Sequence, residues 1–133
     1  MRQNKVANYL LDTNVIILAL RSAAYALNFL DRFNQTQEQA YISVVTRTEI
    51  LAGMRPHEEQ RTMALLESLT SMLVNEVIAD KAGRLIYQYA RQGVQLSFPD
   101  AQIAATALHY NLTLVTTNTK HFPMPQLALH SLQ

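Results

Sequence analysis

The chain has 133 residues, a net charge of +1 and no cysteine. That length predicts one domain, residues 1–133, with a core of its own, and the absence of cysteine excludes disulfides, cysteine–zinc centres and cysteine nucleophiles. A charge of +1 argues against nucleic-acid binding by blanket electrostatics, so such a ligand would need a local basic surface.

The opening residues lack the pattern of a signal peptide, and no apolar run is long enough to span a bilayer, so a cytoplasmic setting without membrane contact is expected. Residues 1–5 are polar and expected to fray. Residues 6–11 form an apolar run without alternation, which predicts a parallel strand covered on both faces. A short helix is predicted over 14–20, then a second to about Phe33, capped by Ser22. With Tyr25, Leu27, Phe29, Leu30 and Phe33 it carries more than one apolar stripe, as in a buried helix or one that meets a partner. Residues 34–39 read as a polar loop and the β-branched segment 41–45 as strand two.

A helix is expected from Thr46 to a stop at Gly53, and another over 57–70 with Thr62, Leu66 and Leu69 on one face. Residues 72–74 predict strand three. Ile78, Ala82, Leu85, Ile86 and Tyr89 repeat at helical spacing up to Gly93. Residues 96–100 read as a loop leading into a helix over 101–110; residues 112–116 read as strand four, 117–121 as a turn and 127–130 as an edge strand. This alternation predicts an α/β fold: a three-layer α/β/α sandwich with a mostly parallel sheet of four to five strands.

Ligands of such sheets gather at the carboxyl ends of the strands. Asp12 follows strand one, Glu49 follows strand two, Asn118 follows strand four, and Asp100 opens a helix at the same edge. Each acid also has a bland reading. Asp12 can cap a helix, Thr46-x-x-Glu49 fits a capping box, and Ser97-x-x-Asp100 with Pro99 resembles one. Three carboxylates crowded at one edge would repel one another unless a cation neutralised them. Hard oxygen donors point to magnesium or manganese, with water and substrate phosphate completing the shell.

His57, His109, His121 and His130 show no i, i+4 pair, so zinc is not expected. His109 is expected at a helix C-terminus. His121 reads either as a pH-sensitive metal or phosphate contact or as a plain loop residue. Glycines at 53, 83 and 93 build neither a dinucleotide-binding nor a nucleotide-triphosphate loop, and no serine-hydrolase elbow is present.

Four segments together resemble the PIN domain family, and more narrowly its VapC-type toxin ribonucleases. They are Leu10-Leu11-Asp12-Thr13-Asn14, the run from Val44 to Gly53 around Glu49, the run from Asp100 to Ala107, and the run from Leu114 to Phe122. The resemblance spans the chain in order. It implies that Asp12, Glu49 and Asp100 are catalytic, metal-binding carboxylates for Mg2+ or Mn2+. Thr13 and Thr116 are then supporting hydroxyls. The fourth acid often found in such domains is absent: its turn offers Asn118 and His121.

The implied activity is metal-dependent endoribonuclease action by the toxin of a toxin–antitoxin pair, leaving 5′-phosphate and 3′-hydroxyl ends. Arg21, Arg47, Arg55 and Lys120 are candidates to hold flanking phosphates. The implied partners are RNA, a cognate antitoxin whose C-terminal segment lies across the active-site groove, and a second copy of the chain; the apolar second helix is a candidate for one of the protein surfaces. Three alternatives stand beside this: an RNA-processing nuclease of the same family without an antitoxin, a catalytically silent PIN-like domain that binds RNA or protein, and a receiver-type signalling domain. The last wants paired acids after strand one, where this chain has Thr13-Asn14.

Overall fold

The computed structural model describes residues 8–132. The polar opening 1–5 and the first two residues of the strand expected over 6–11 lie outside the described residues. In chain order the elements are β1 (Asn8–Leu11), α1 (Thr13–Leu20), α2 (Ala24–Asp31), β2 (Gln39–Ser43), α3 (Val44–Gly53), α4 (Glu59–Glu67), β3 (Thr70–Met72), α5 (Glu76–Arg91), α6 (Phe98–Tyr110), β4 (Thr113–Thr116) and β5 (Leu129–Ser131). Short 3-10 turns follow α2, precede α4 and follow β4.

The strands form one sheet in the order β3-β2-β1-β4-β5, and every pairing is parallel. The expectation of a mostly parallel sheet is thus met in full, edge strand included. From β1 the chain steps outward to β2 and β3, then returns across the sheet through α5 and α6 to lay β4 on the other side of β1. The strand order therefore reverses between β1 and β4, where parallel sheets open a crevice at their carboxyl ends.

Neighbouring residues of the central strands serve opposite faces, as the two-residue period of a strand requires. Leu10 and Leu114 join α5 and α6 in one core, which includes Ile78, Ala82, Leu85, Tyr89, Ile103 and Ala104. Leu11 and Val115 join α1 to α4 in the other, with Val15, Ile16, Phe29, Ile50 and Leu66. Complete burial of a leucine or isoleucine contributes about 1.5–3 kcal/mol, so these layers fix where the strand tips lie. α6 is buried all round from Ala101 to Ala107, and its run of alanines lets it press close to α5 and the sheet. No single helix among the described residues is long and apolar enough to cross a membrane.

Several boundaries differ from the sequence expectation for identifiable reasons. β2 ends at Ser43, not Val45, because Ser43 Oγ accepts from the Val45 amide at 3.1 Å and caps α3. A good cap outweighs the strand preference of two valines. Ser22 does not cap α2; it adopts a left-handed conformation (φ 61°), and Ala23 holds the cap position without a side-chain bond. The chain turns by 110° there, between Thr13–Leu20 and Ala24–Asn34. Ser97 caps α6, drawing Phe98, Pro99 and Asp100 out of the expected loop and into the first helical turn. Gly93 (φ 75°) and Asn111 (φ 54°) supply the left-handed residues that stop α5 and α6. β3 and β5 lie within two residues of their expected positions.

The second helix divides its residues between the two readings offered for it. Ala26 and Phe29 are buried, while Tyr25 and Leu27 are exposed.

Gln102 Oε1, within the buried run of α6, has no hydrogen-bond partner among the described residues. An unsatisfied buried acceptor costs roughly 1–3 kcal/mol, and methionine nearly conserves the volume. Gln102→Met should therefore stabilise the protein by about 1 kcal/mol, read as a higher urea midpoint at unchanged slope.

Candidate active site

The parallel register generates the first part of the site. Leu11 pairs with Val115, so the next residues, Asp12 and Thr116, are neighbours at the carboxyl tips of adjacent strands. The Asp12 amide donates to the Val115 carbonyl at 2.9 Å, continuing the ladder by one step. Thr116 Oγ1 then donates to Asp12 Oδ2 at 2.8 Å, and the Asn118 amide donates to Thr116 Oγ1 at 3.0 Å. Asp12 also caps α1, its Oδ1 accepting from the Thr13 amide at 2.8 Å. The cap expected of Asp12 is therefore formed by one carboxylate oxygen, while the other is held by Thr116.

Glu49 arrives differently. Since α3 begins at Val44, Glu49 lies in the second helical turn and does not open the helix. The capping box with Thr46 is not formed; Ser43 has taken the cap, and Thr46 is fully buried inside the helix. Glu49 Oε1 accepts instead from Thr13 Oγ1 at 2.7 Å, and Thr13 Oγ1 lies 3.0 Å from Thr46 Oγ1. Asp100 stands in the first turn of α6, where the helix dipole favours an anion.

His121, in the turn after β4, places Nδ1 3.4 Å from Asp100 Oδ2 and Nε2 3.0 Å from Asn118 Nδ2. His121 thus bridges Asn118 and Asp100 through its two ring nitrogens.

Asp12, Thr13, Asn14, Ile17, Glu49, Asp100 and His121 line one cavity of about 270 Å³. The structure thus brings all three acids and His121 together, with Thr116 and Asn118 behind them. Ile17 is an additional wall residue outside the four motif segments, and Asn14, inside the first of them, was not named as a candidate; for Ile17 the i, i+4 spacing from Thr13 on α1 was the available signal.

Asp12 is only 6% exposed. Burial pushes its pKa up, the Thr116 and Thr13 hydrogen bonds pull it down, and the charges of Asp100 and Glu49 raise it further. The net shift is upward, the condition a bound cation would relieve. Among the described residues, no three acid or histidine side chains stand close enough to cage an ion by themselves. Magnesium and manganese take one or two carboxylates directly and complete their shell with water and phosphate oxygen. This open, all-oxygen set fits such an ion, whereas a structural zinc needs a closed one.

Other candidates fall outside the cavity. Arg47 is occupied elsewhere, donating to the Leu66 carbonyl at 3.3 Å and to Ser71 Oγ at 3.5 Å, so it ties α3 to α4 and β3. Arg21 and Arg55 line a cleft of about 120 Å³ that shares Ile17 and Glu49 with the acid cavity and continues over Leu20, Ile50 and Met54. Lys120 is exposed in the turn after β4. His109 packs edge-on against Tyr110 at the end of α6, and His130 stacks on Phe29. A larger groove of about 670 Å³ lies at the opposite edge of the sheet, between α2, the start of β2 and the end of α4. It contains none of the candidate acids, and the chemistry of the carboxylates outweighs its size.

Comparison with known proteins adds an independent line. The PIN domain family matches residues 9–124. Ribonuclease VapC10 of Mycobacterium tuberculosis (strain H37Rv) is 37% identical over 115 residues, covering 86% of each chain. Among solved structures, VapBC2 from Rickettsia felis, bound to a DNA fragment from its promoter, is similar with a TM-score of 0.83 and 25% identity, over 95% of this chain and 99% of that one. A toxin–antitoxin complex from Klebsiella pneumoniae is similar with a TM-score of 0.74 and 32% identity, over 90% and 95%.

The raised pKa of Asp12 has a signed consequence for the metal-free protein. Folded Asp12 holds its proton more tightly than the unfolded chain does, so stability falls as pH rises through the folded pKa and returns as pH drops below the unfolded value. At neutral pH the carboxylate is a net cost. In EDTA at pH 7, Asp12→Asn should show a higher urea midpoint than wild type, and the gap should close as pH falls. An advantage that does not depend on pH would show that this charge is not its source.

Proposed function

Because the chain belongs to the PIN domain family, we propose that its acid cavity hydrolyses RNA phosphodiester bonds: the protein is an endoribonuclease and serves as the toxin of a toxin–antitoxin pair. The observation that carries this reading is the convergence of Asp12, Glu49 and Asp100, from three separate segments, on one cavity at the carboxyl edge of the sheet.

Asp12 and Glu49 together, with Asp100 facing them, would hold Mg2+ or Mn2+. A divalent ion so bound supplies Lewis acidity toward a phosphoryl oxygen and toward the attacking water. The chain's own contribution is to position the donors. Thr116 and the Thr13 amide each hold one oxygen of Asp12, Thr13 Oγ1 holds Glu49, and His121 stands beside Asp100. Ile17 closes one wall with apolar surface. Arg21 and Arg55, which line the adjoining cleft, would meet phosphates flanking the scissile bond.

Two protein partners belong to this reading. An antitoxin segment would occupy the cleft beside the acid cavity, which apolar Leu20, Ile50 and Met54 line together with Arg21 and Arg55. A second copy of the chain is the other partner, with the exposed Tyr25 and Leu27 of α2 as candidate contacts. The cytoplasm, where RNA and an antitoxin are both present, is the proposed compartment.

One observation favours a second reading. The turn after β4 carries Asn118 and His121 and no fourth acid, as a catalytically silent, RNA- or protein-binding relative would allow. Cleavage of a total RNA pool by purified, antitoxin-free protein separates the two. With manganese present, wild type should cut. EDTA should stop it, and Asp12→Asn should lose more than about 100-fold, beyond the 10–100-fold typical of groups that only orient ligands. A well-folded wild type that never cuts would transfer the assignment to the silent binding domain.

A further inference from the structure

Glu49 differs from its two companions in how it is held. Asp12 caps α1 and Asp100 lies in the first turn of α6, so each has a helix N-terminus to stabilise its charge. Glu49, in the second turn of α3, is beyond that reach. Its side-chain donor is Thr13 Oγ1 at 2.7 Å. A threonine hydroxyl has one hydrogen. With that hydrogen committed to Glu49, the 3.0 Å contact between Thr13 Oγ1 and Thr46 Oγ1 must be made by the Thr46 hydrogen.

The donation therefore runs Thr46 to Thr13 to Glu49. Thr46 is fully buried, and Thr13 is its side chain's hydrogen-bond partner among the described residues. Thr46 and Glu49 are three residues apart on α3, hence on one face and one turn apart. Together they grip the hydroxyl of the first residue of α1 from two sides. Asp12 immediately precedes that residue, so the grip also sets how far the Asp12 carboxylate stands from Glu49.

We propose that Thr46 is a positioning residue of the active site, acting through Thr13 to orient Glu49 and to fix its spacing from Asp12. This rests on the metal-site reading given above. It assigns a function to a buried threonine whose sequence setting suggested only a helix cap. Groups that orient metal ligands are typically worth 10–100-fold in metal affinity or activity. Thr46→Val keeps the shape and removes the hydrogen; Thr13 then lacks a donor and the hydroxyl is free to turn from Glu49. Thr46→Ser keeps the hydrogen.

The test is Mn2+ binding to the RNA-free protein by titration calorimetry, for wild type, Thr46→Val, Thr46→Ser, Thr13→Val, the Thr13→Val/Thr46→Val double variant and Asp12→Asn. Circular dichroism in EDTA checks that each is folded. Thr46→Val should bind Mn2+ roughly tenfold more weakly, Thr46→Ser should restore binding, and the double variant should bind like Thr13→Val alone, since a relay broken at Thr13 gains nothing from Thr46. If Thr46→Val does not fold, Thr46→Ala carries the same expectation.

Wild-type affinity in Thr46→Val, or a Thr46→Ser variant as weak as Thr46→Val, would overturn the relay and leave the metal site standing. Equal Mn2+ binding by wild type and Asp12→Asn would instead remove the metal site, and the relay's purpose with it.

Discussion

Asp12 is nearly buried at the point where β1 ends and α1 begins, and its carboxylate has two other acids as neighbours. Burial and like charge both raise its pKa, so the arrangement has to be held in place by the rest of the structure. It is held by two donors of different origin. The Thr13 amide belongs to the start of α1 and comes with the local strand–helix junction. Thr116 comes from a strand more than a hundred residues later, and reaches Asp12 only because β4 pairs in register with β1. The site therefore depends on the reversal of strand order at β1 and β4, which in turn depends on α5 and α6 packing well enough to return the chain across the sheet.

The two cores divide the labour around that reversal. On one face, α5 and the alanine-rich α6 press against Leu10 and Leu114, and this contact delivers Asp100 on the first turn of α6. On the other, α1 and α3 pack through Val15, Ile16 and Ile50, and this contact delivers Glu49 to Thr13. Each acid is carried by an element whose position is fixed by apolar burial some distance away. Rigid placement of polar groups by apolar layers is what a site needs if its carboxylates are to stay close in the absence of a cation.

The acid cavity and the cleft that holds Arg21 and Arg55 are neighbours with two wall residues in common. A segment laid in the cleft would pass over Ile17 and Glu49, residues common to both concavities. Under the proposed antitoxin reading, an inhibitor in the cleft would meet part of the acid cavity's wall without needing a second, distant site. The chain belongs to the PIN domain family, and under the proposed reading the two shared residues would let binding in the cleft act directly on the acid cavity.

The alternating α/β order and the parallel sheet were legible in the chain, because period and composition are local properties, and so was the gathering of Asp12, Glu49 and Asp100 at one sheet edge. The long helix α5 and its face of Ile78, Ala82, Leu85 and Tyr89 were legible for the same reason. Boundaries were less so. Ser43 and Thr46 are both acceptable caps, and only the packed structure chose between them, which moved Glu49 from a helix start to a second turn. The fate of Arg47 was equally hidden, since its partners, the end of α4 and Ser71, lie about one α-helix and one strand away in sequence. What the chain determined by itself is the set of elements and their acids. What only the tertiary structure decided is which acid each supporting hydroxyl meets: Thr116 meets Asp12, and Thr13 meets Glu49. Those are contacts between residues far apart in sequence, and no local periodicity encodes them.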